Sequence, residues 1–575
     1  MNNIAAVLAW SIHHLPLLAA AAAAVALLAL GRHLTISKSA QVRHRAWAMR
    51  WRIWLRLRPG HGFATTAELW LRWGRLAALG HGKRSRPGTT LAHRATAPTV
   101  YYAVRYGRAQ WGRRAFGRML DQVLILAPPQ SGKSGLLADR ILDHPGPVVC
   151  TSTRDDLFAN TAGERAQLGP VHTFNPLSIG GIPSTFGWDI IAGCEEPGTA
   201  IRRAQDLTGD YPTGDMKWWQ SKASAALAAL LHAAALALWA TMLDVYGWVN
   251  RHGDAQAEEI LASTEAASAA LRSMLEEIRR DSKTADSVRA TISESLTWVA
   301  VPELAAAVCP LPGMSFDTGE FLAANGTLYM VAPGTETAPI APLFQAFVKH
   351  VHYEAGLIGS LTPVGRLDPP LLLALDELTQ ICPLPLPAIL ADSAGKGVLV
   401  AAVIHSIGQL ESRWGKPGAD TIWPTCGTKI LLTGITDAAT LEHVSRLTGT
   451  VTVDDQTVPV LPPELLRMLP KWRALVLTLN NRPARRHCRV PVWPGMRTRW
   501  AATDRGHLVL SQAGYWCCGR APEGFLCQSR GCGPGVGRVG GLAAGRGGVP
   551  RRVGCMGLGG GPELRDRDER CAGSV

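Results

Sequence analysis

From about residue 101, short continuous apolar runs alternate with longer stretches that have helical spacing. Apolar runs of four to seven residues bounded by turn residues are typical of strands buried on both faces of a parallel sheet. Seven runs have this pattern: Val123–Leu126, Val148–Thr151, Thr327–Ala332, Leu371–Leu375, Val398–Ile404, Lys429–Thr433 and Ala474–Leu479. They predict an α/β fold with a mainly parallel sheet, built from residues 101–190 and 310–495.

The first of these runs leads into a loop whose residue types bind phosphate. A strand, a loop ending in Gly-Lys-Ser and a helix form the context of a P-loop. In a P-loop, backbone N–H groups and the lysine face phosphates, and the hydroxyl binds Mg²⁺. The candidate nucleotide-binding residues are Pro129, Gln130, Ser131, Gly132, Lys133, Ser134 and Gly135. Ala127 stands where the usual motif begins with glycine, and the alternative interpretation is a chance loop.

A later strand supplies the acidic residues that complement this loop. The run Leu371–Leu375 ends in Asp376 and Glu377. Asp376 is placed to hold Mg²⁺ through water, and Glu377 to polarise the attacking water as general base. The sequence therefore predicts Ser134 and Asp376 as metal-binding residues. The alternative is an acid pair at a strand end that faces solvent.

A third polar stretch follows the run Val398–Ile404. A strand that runs into Ser406 and Gln409 is expected to lie beside the Asp376 strand, near the γ-phosphate. Gln409 is the preferred candidate for sensing that phosphate or orienting water. His405 is interpreted as a polar residue at the strand end rather than a catalyst.

A helical segment separates the early strands from Thr327. Within the predicted insertion, residues 191–309, the middle from about Trp218 to Val308 is rich in Ala, Leu, Glu and Arg, and apolar positions from Leu271 to Ile278 follow helical spacing. The run Ala225–Leu243 resembles a membrane span. A single crossing there would place the P-loop and Asp376 on opposite sides of the membrane, so we predict instead an all-α domain inserted into the α/β domain.

The beginning of the chain predicts a membrane anchor. Leu15–Leu30 is almost entirely Ala, Leu and Val, about the length that one helix needs to cross a bilayer. Basic residues precede the first acidic residue, Glu68: Arg32, Lys38, Arg43, Arg45, Arg50, Arg52, Arg56 and Arg58. The positive-inside rule then predicts a cell-membrane protein with a transmembrane anchor at 1–31 and most of the chain in the cytoplasm. The alternative is a buried hydrophobic helix. No cationic residues precede the apolar run, which disfavours a cleaved signal peptide.

The segment 32–100 is predicted to lie next to the membrane. Trp47, Trp51 and Trp54 interleave with its arginines, a pattern typical of a membrane-surface helix, although direct DNA contact is an alternative. The net charge of the 575-residue chain is +14, which favours nucleic acid, a membrane surface or both as partners.

The cysteines and the end of the chain add two further expectations. Six cysteines are scattered before residue 500 without a C-x-x-C pair, so reduced thiols, mostly in the core, are expected. Residues 505–575 are rich in Gly, Arg and Cys and cannot build a core, which predicts disorder.

These motifs, in this order, resemble the type IV coupling proteins of conjugation, the membrane-anchored DNA-transfer ATPases of type IV secretion systems. The resemblance covers residues 60 to 495. The stretches that carry it are the P-loop, Val171–Leu177, Leu375–Glu377 through Ala394–Gly397, Ser406–Leu410, Lys429–Ile430 with Gly434–Asp437, and Ser445–Gly449.

The resemblance implies a RecA-like P-loop ATPase that uses ATP and Mg²⁺ and assembles as a homo-hexamer at the membrane. Its implied partners are DNA, single-stranded with a relaxase, and components of the secretion channel. Lys396 stands near an arginine that many relatives are thought to extend into a neighbouring subunit, and His405 stands where glutamine is usual. Relatives commonly have two membrane helices, whereas this sequence has one convincing candidate.

We therefore hypothesise that ATP hydrolysis is coupled to the transfer of DNA or protein substrates into a secretion channel. The catalytic candidates are Lys133, Glu377 and Gln409, with Lys396 acting from the next subunit. One alternative is an FtsK-like double-stranded DNA translocase, and the insertion before Thr327 disfavours it. A second alternative is a non-hydrolysing membrane receptor, supported by Ala127 and His405 but disfavoured by the intact acidic pair.

Overall fold

The computed structural model describes residues 63–109, 112–209, 215–251, 254–280, 282–334, 340–453, 456–470, 473–478, 481–487, 508–510 and 516–518. The predicted anchor at 1–31 and the basic residues up to 62 lie outside this part of the chain. Among the described helices, none combines the length and the apolar character that a bilayer crossing requires.

In the part of the chain that the structure describes, eleven strands form the central sheet. Their ranges are β1 Ala103–Arg108, β2 Arg114–Arg118, β3 Val123–Leu126, β4 Val148–Ser152, β5 Val171–Phe174, β6 Thr327–Val331, β7 Leu371–Leu375, β8 Val398–Ile404, β9 Thr428–Leu431, β12 Arg473–Thr478 and β13 Asn481–His487. Two more strands, β10 Thr450–Val453 and β11 Gln456–Pro459, pair with each other. The order in the sheet is β2–β1–β13–β12–β9–β3–β8–β7–β4–β6–β5.

The seven strands from β9 to β5 are parallel, which confirms the predicted mainly parallel sheet. Every residue of β3, β7 and β8 is buried, as expected for strands with helices on both faces. Beyond β9, the strands β12, β13, β1 and β2 extend the sheet in antiparallel pairs. β8 lies between β3 and β7, and therefore between the P-loop strand and the Asp376 strand.

Helices cover the sheet and form the insertion. Their ranges are α1 Thr66–Trp73, α2 Arg75–Ser85, α3 Leu91–Thr96, α4 Lys133–Asp143, α5 Asp156–Arg165, α6 Pro197–Thr208, α7 Asp215–Ala237, α8 Met242–Asn250, α9 Gln256–Ser263, α10 Ala269–Arg280, α11 Ser282–Ser295, α12 Pro302–Ala307, α13 Thr318–Ala323, α14 Ala341–Ser360, α15 Leu378–Ile381, α16 Leu386–Lys396, α17 Ile407–Thr425, α18 Ala438–Thr448 and α19 Pro463–Arg467. Short 3₁₀ turns occur at Thr99–Tyr101, Ile179–Gly181 and Thr297–Ala300.

Helix α7 lies at the centre of the inserted helices α6–α12. This helix contacts α6 and α8–α11, and its alanines allow these close approaches. His232 of α7 is fully buried; its Nδ1 lies 2.8 Å from the carbonyl oxygen of Cys194, and its Nε2 accepts a hydrogen bond from the Ser268 N–H at 3.0 Å. The apolar run that resembled a membrane span is therefore the core of a helical bundle.

A backbone neck closes the insertion. Gly187 donates its N–H to Met314 O (3.1 Å) and accepts from Phe316 N–H (3.0 Å), so the chain leaves and returns at one point. Outside the neck, the Trp188 ring stacks on Phe347 of α14 at 4.7 Å. Next to this stack, α6 and α14 are joined by the Lys349–Asp206 ion pair (2.8 Å) and by Arg202 over the Tyr353 ring.

Behind the P-loop helix, Arg165 joins three elements. It is fully buried, and its N–H groups donate to Thr327 Oγ1 (2.7 Å), His144 O (2.5 Å) and Gly146 O (2.6 Å), with longer contacts to Ile141 O and Asn325 O. Its guanidinium thus satisfies carbonyl groups at the end of α4 and at the entries to β4 and β6. Arg165 belongs to no motif that the sequence pattern predicts.

The first described helices pack against the antiparallel end of the sheet. Leu69, Trp73 and Ala78 are buried, and the Trp73 ring meets Tyr106 of β1 edge to face at 6.1 Å. α1 begins with a capping box formed by Thr65 and Glu68. These helices lie within the segment 32–100 that we assigned to the membrane-proximal region.

Two other expectations can be compared with the described residues. Cys150, Cys194, Cys382 and Cys426 are free and buried, and Cys309 is free and half-buried, as expected for reduced thiols; Cys488 lies outside the description. Within residues 505–575, which we predicted to be disordered, the structure describes two short strands. Leu508–Leu510 (β14) and Trp516–Cys518 (β15) pair antiparallel, because these six residues are apolar and suited to strands.

A cluster of charges at the end of α4 predicts an unusual pH dependence of stability. Burial raises the pKa of Asp139 to about 7, although Arg105 lies 3.9 Å away. Between its ordinary pKa of 3.8 and 7, the folded chain holds a proton that the unfolded chain has lost, so Asp139 reduces stability as pH rises through this window. We expect Asp139→Asn to raise the free energy of unfolding by about 2–4 kcal/mol at pH 8.

Urea denaturation at several pH values tests this expectation. The gain in the free energy of unfolding from Asp139→Asn should be smaller at pH 5. It should vanish below about pH 4, where Asp139 is protonated in both the folded and the unfolded chain. The matched control is Asp286→Asn, because the Asp286 side chain is 63% exposed. A gain at pH 8 no larger than that of the control would contradict the expectation.

Candidate active site

The loop between β3 and α4 has the backbone of a phosphate-binding loop. Gln130 and Gly132 adopt positive φ values of 60° and 96°, and α4 begins directly afterwards at Lys133. The left-handed backbone at Gly132 favours glycine and turns the chain into the helix. The first N–H groups of α4 have no carbonyl partner within the helix and face the loop, where the helix dipole attracts anions.

Ala127 fits this loop without strain. It is fully buried, its φ is not positive, and its N–H donates to Ile404 O at 2.9 Å, which continues the parallel pairing of β3 with β8. The usual glycine is therefore not needed for backbone conformation at this position.

The acidic residues meet the P-loop lysine at the carboxyl edge of the sheet. Lys133 Nζ lies 3.4 Å from Asp376 Oδ1 and contacts Glu377 Oε1 directly. Glu377 has a left-handed backbone (φ 48°), which turns the chain sharply from β7 into α15. The structure thus brings together three residues that are 243 and 244 positions apart in the sequence.

The backbone of Asp376 is held by Thr151 of β4. Its N–H donates to Thr151 O (3.2 Å), and the Thr151 hydroxyl donates to Asp376 O (3.1 Å). Burial raises the pKa of the Asp376 carboxyl, and the nearby Lys133 counteracts this effect. Its Oδ1 is buried and faces the Lys133 ammonium at 3.4 Å. The buried Ser131 Oγ has no hydrogen-bond partner among the described residues.

His405 and Gln409 occupy the end of β8. His405 Nε2 lies 3.2 Å from Glu377 Oε2, and its Nδ1 lies 2.9 Å from Ala127 O, so its ring bridges the P-loop and Glu377. The Gln409 side chain instead accepts the backbone N–H of His405 at 2.8 Å. The expectation that the β8 strand lies beside the Asp376 strand is confirmed. The contact of His405 with Glu377 was missed, and its only signal in the sequence was its position at the end of that strand.

Lys396 lies at the opposite edge of the sheet. It ends α16 and precedes the first residue of β8, whereas the P-loop lies at the carboxyl end of β3. The seven residues of β8 span about 23 Å. Lys396 pairs with Asp392 of its own helix, so within one chain it does not contribute to the site.

The residues present fit a nucleotide and a divalent cation. Phosphates suit Lys133 and the N–H groups at the start of α4, while Mg²⁺ prefers hydroxyl and carboxylate oxygens such as those of Ser134 and Asp376. The Asp376 carboxylate lies at the same edge of the sheet as the P-loop lysine, 3.4 Å from its Nζ, which is consistent with this role. No group of acidic, His or Cys residues elsewhere in the described chain forms a metal site.

Residues 370–460 match a family model described as the TraM recognition site of TraD and TraG. This segment contains Asp376, Glu377, Lys396 and Gln409. The resemblance to the coupling proteins of conjugation is confirmed. No curated protein sequence matches the chain.

One solved coupling-protein structure has a similar fold. Plasmid coupling protein TrwB with the non-hydrolysable ATP analogue ADPNP is 20% identical over 66% of this chain and 88% of TrwB, with a TM-score of 0.51. TrwB with ADP and Mg²⁺ matches at 20% identity, 63% and 83% coverage and a TM-score of 0.47. VirB4 of Thermoanaerobacter pseudethanolicus matches at 12% identity, 66% and 95% coverage and a TM-score of 0.37. The α/β fold with its mostly parallel sheet is thus similar to that of a coupling protein.

Proposed function

We propose that this chain is a membrane-anchored ATPase that couples ATP hydrolysis to the transfer of DNA or protein substrates into a type IV secretion channel. The observation that carries the proposal is the meeting of Lys133, Asp376 and Glu377 at one edge of the sheet, beside a helix N-terminus. The match over residues 370–460 supports a coupling protein in particular.

Each side chain has a role in this proposal. Lys133 exchanges its two carboxylate partners for the terminal phosphates of ATP, and this exchange releases Glu377 to accept a proton from the attacking water. Ser134 and Asp376 hold Mg²⁺, which neutralises phosphate charge when it is bound. Gln409 leaves the His405 N–H to sense the γ-phosphate.

The wider setting follows from the resemblance. The chain assembles as a homo-hexamer at the cell membrane, with most of its length in the cytoplasm. Lys396 of one subunit completes the site of the next, which agrees with its position far from the site of its own chain. The partners are single-stranded DNA with its relaxase, held mainly through phosphates, and components of the secretion channel.

The two alternatives make different demands on the site. The hypothesis of a non-hydrolysing receptor takes Ala127 and His405 as signs that the nucleotide site has degenerated. Here the two residues contact each other, and His405 also reaches Glu377, so both are built into an intact site. An FtsK-like double-stranded DNA translocase shares the P-loop and anchor. The all-α insertion between β5 and β6, like the match to TraD and TraG, favours the coupling protein.

ATP hydrolysis by the full chain, with single-stranded DNA, double-stranded DNA or no DNA, tests the proposal. We expect single-stranded DNA to stimulate ATP hydrolysis. We expect Lys133→Ala to lower the hydrolysis rate by about 10³-fold or more, because the lysine charge stabilises the phosphoryl group during its transfer. The matched control is Lys416→Ala, on the exposed side of α17. Preference for duplex DNA would favour the translocase, and nucleotide binding without hydrolysis would favour the receptor.

A further inference from the structure

The positive charge of this chain is concentrated directly after the predicted anchor. Residues 32–118 contain 19 Lys and Arg residues and one acidic residue, Glu68, which gives a net charge of +18. Residues 1–31 carry no charged side chain, and the whole chain has a net charge of +14. Residues 119–575 therefore sum to −4 (40 basic against 44 acidic residues), so the cationic excess belongs to this segment and not to the ATPase body.

In the described part of this segment, many of these charges lie at the surface. α1 and α2 both contact β2, and their buried residues Leu69, Trp73 and Ala78 are on that side. Their other sides therefore face away from the sheet. The exposed basic residues in and near these helices are Arg72, Arg75, Lys83, Arg84, Arg108, Arg113, Arg114 and Arg118.

Large apolar side chains are exposed among these charges. Trp70, Leu71 and Leu76 are exposed by 52%, 64% and 62%, within seven residues of chain. Exposed apolar residues that occur singly are common on soluble proteins, but three so close together indicate an interaction surface. Tryptophan, leucine and basic residues in one surface form the composition that suits the headgroup layer of a bilayer.

We propose that this surface, which we call the α1–α2 face (Trp70, Leu71, Leu76, Lys83 and Arg84), docks on the anionic surface of the membrane. The apolar side chains enter the headgroup layer, and the basic ones contact lipid phosphates. This inference rests on the membrane anchor of the proposed function. The 31 residues between that anchor and Phe63 span at most about 110 Å whatever their conformation, so the face is held at high local concentration near the bilayer.

Nucleic acid is the competing partner for a cationic surface. Phosphate contacts explain the basic residues, but DNA binding through its backbone gives no reason to expose Leu71 and Leu76 beside them. The position of the face, directly after the predicted anchor in the sequence, also favours lipid. Docking would hold the antiparallel end of the sheet, on which α1 and α2 pack, against the membrane.

Photo-crosslinking in vesicles tests the inference on the full chain. p-Benzoylphenylalanine replaces Leu71, Leu76 or, as a matched control, Leu447, which is 51% exposed on α18. Each variant is reconstituted in vesicles of phosphatidylcholine alone or with phosphatidylglycerol, irradiated with and without DNA, and analysed for lipid and DNA adducts. ATP hydrolysis by each variant reports whether it is folded.

We expect lipid adducts at positions 71 and 76 but not at 447, with a higher yield when phosphatidylglycerol is present. Lys83→Gln with Arg84→Gln should lower the yield at position 71 by about fivefold or more, because each basic side chain near an anionic surface contributes about 1 kcal/mol. If the chain binds vesicles but positions 71 and 76 give no more lipid adducts than position 447, the inference is overturned and the anchor is left intact. DNA adducts in place of lipid adducts would overturn it and assign the face to nucleic acid. Chain that does not bind vesicles would overturn both the inference and the anchor.

Discussion

Glu377→Gln is expected to lower the rate of ATP hydrolysis by about 10²–10⁴-fold while ATP still binds. The amide keeps the size of the side chain but cannot accept a proton from the attacking water. It also loses its charge, so its contact with Lys133 weakens and Lys133 becomes more available to phosphates. Phosphate release and binding of a fluorescent ATP analogue, measured on the same preparation, separate the two effects.

Glu411→Gln is the matched control for this experiment. Glu411 lies on α17, which begins two residues after His405, but its side chain is exposed and plays no part in the site. We expect its hydrolysis rate to equal that of the unmodified chain. If Glu377→Gln also hydrolysed ATP at that rate, Glu377 would not be the general base, and the catalytic role proposed for the acidic residues after β7 would be wrong.

Arg165→Met is expected to lower the free energy of unfolding by about 3–5 kcal/mol. Methionine fills part of the volume but leaves the carbonyl groups of His144 and Gly146 buried without a donor. Burial lowers the pKa of Arg165 to about 10. The guanidinium is therefore still charged at neutral pH, and the substitution removes this charged group. Urea denaturation monitored by tryptophan fluorescence measures the change.

Two further substitutions test the cause of this loss. Arg165→Lys keeps the positive charge, but it offers one donor group in place of the planar fork that spans three elements, so it should recover only part of the stability. Arg413→Met removes an exposed arginine from α17 and should change stability by less than about 0.5 kcal/mol. Equal losses in Arg165→Met and Arg413→Met would show that the buried hydrogen bonds do not support the fold.

The centre of the fold could be predicted from sequence because its strands are buried on both faces. β3, β7 and β8 are continuous apolar runs, and their observed bounds equal the predicted ones. β1 and β2 were missed because Arg and Gly interrupt their apolar positions, which hides the alternation of a half-exposed strand. β13 was missed because its sequence consists mainly of Arg, Asn and His. β5 was missed as a strand because its four residues include His172 and Thr173.

Part of the site could also be predicted from the sequence. Lys133, Asp376 and Glu377 lie at the ends of buried strands or at a helix start, so motif and strand position together predicted that they would meet. The direction of the side chains after β8 could not be predicted. The extended backbone of Ser406 and the start of α17 at Ile407 turn Gln409 back to the His405 N–H and leave the His405 ring facing Glu377. Such a turn is set by tertiary contacts rather than by residue type.

The backbone neck at Gly187 makes the helical insertion a single exchangeable cassette. Because the chain crosses the neck once outwards and once inwards, one uninterrupted stretch of coding sequence specifies the whole bundle, and none of the described strands of the sheet lies within it. Recombination could replace this stretch without touching a residue of the P-loop or of β7. The replacement would have to restore the contacts with α14, which are an aromatic ring against Phe347, an acidic side chain within reach of Lys349 and a cation over the Tyr353 ring.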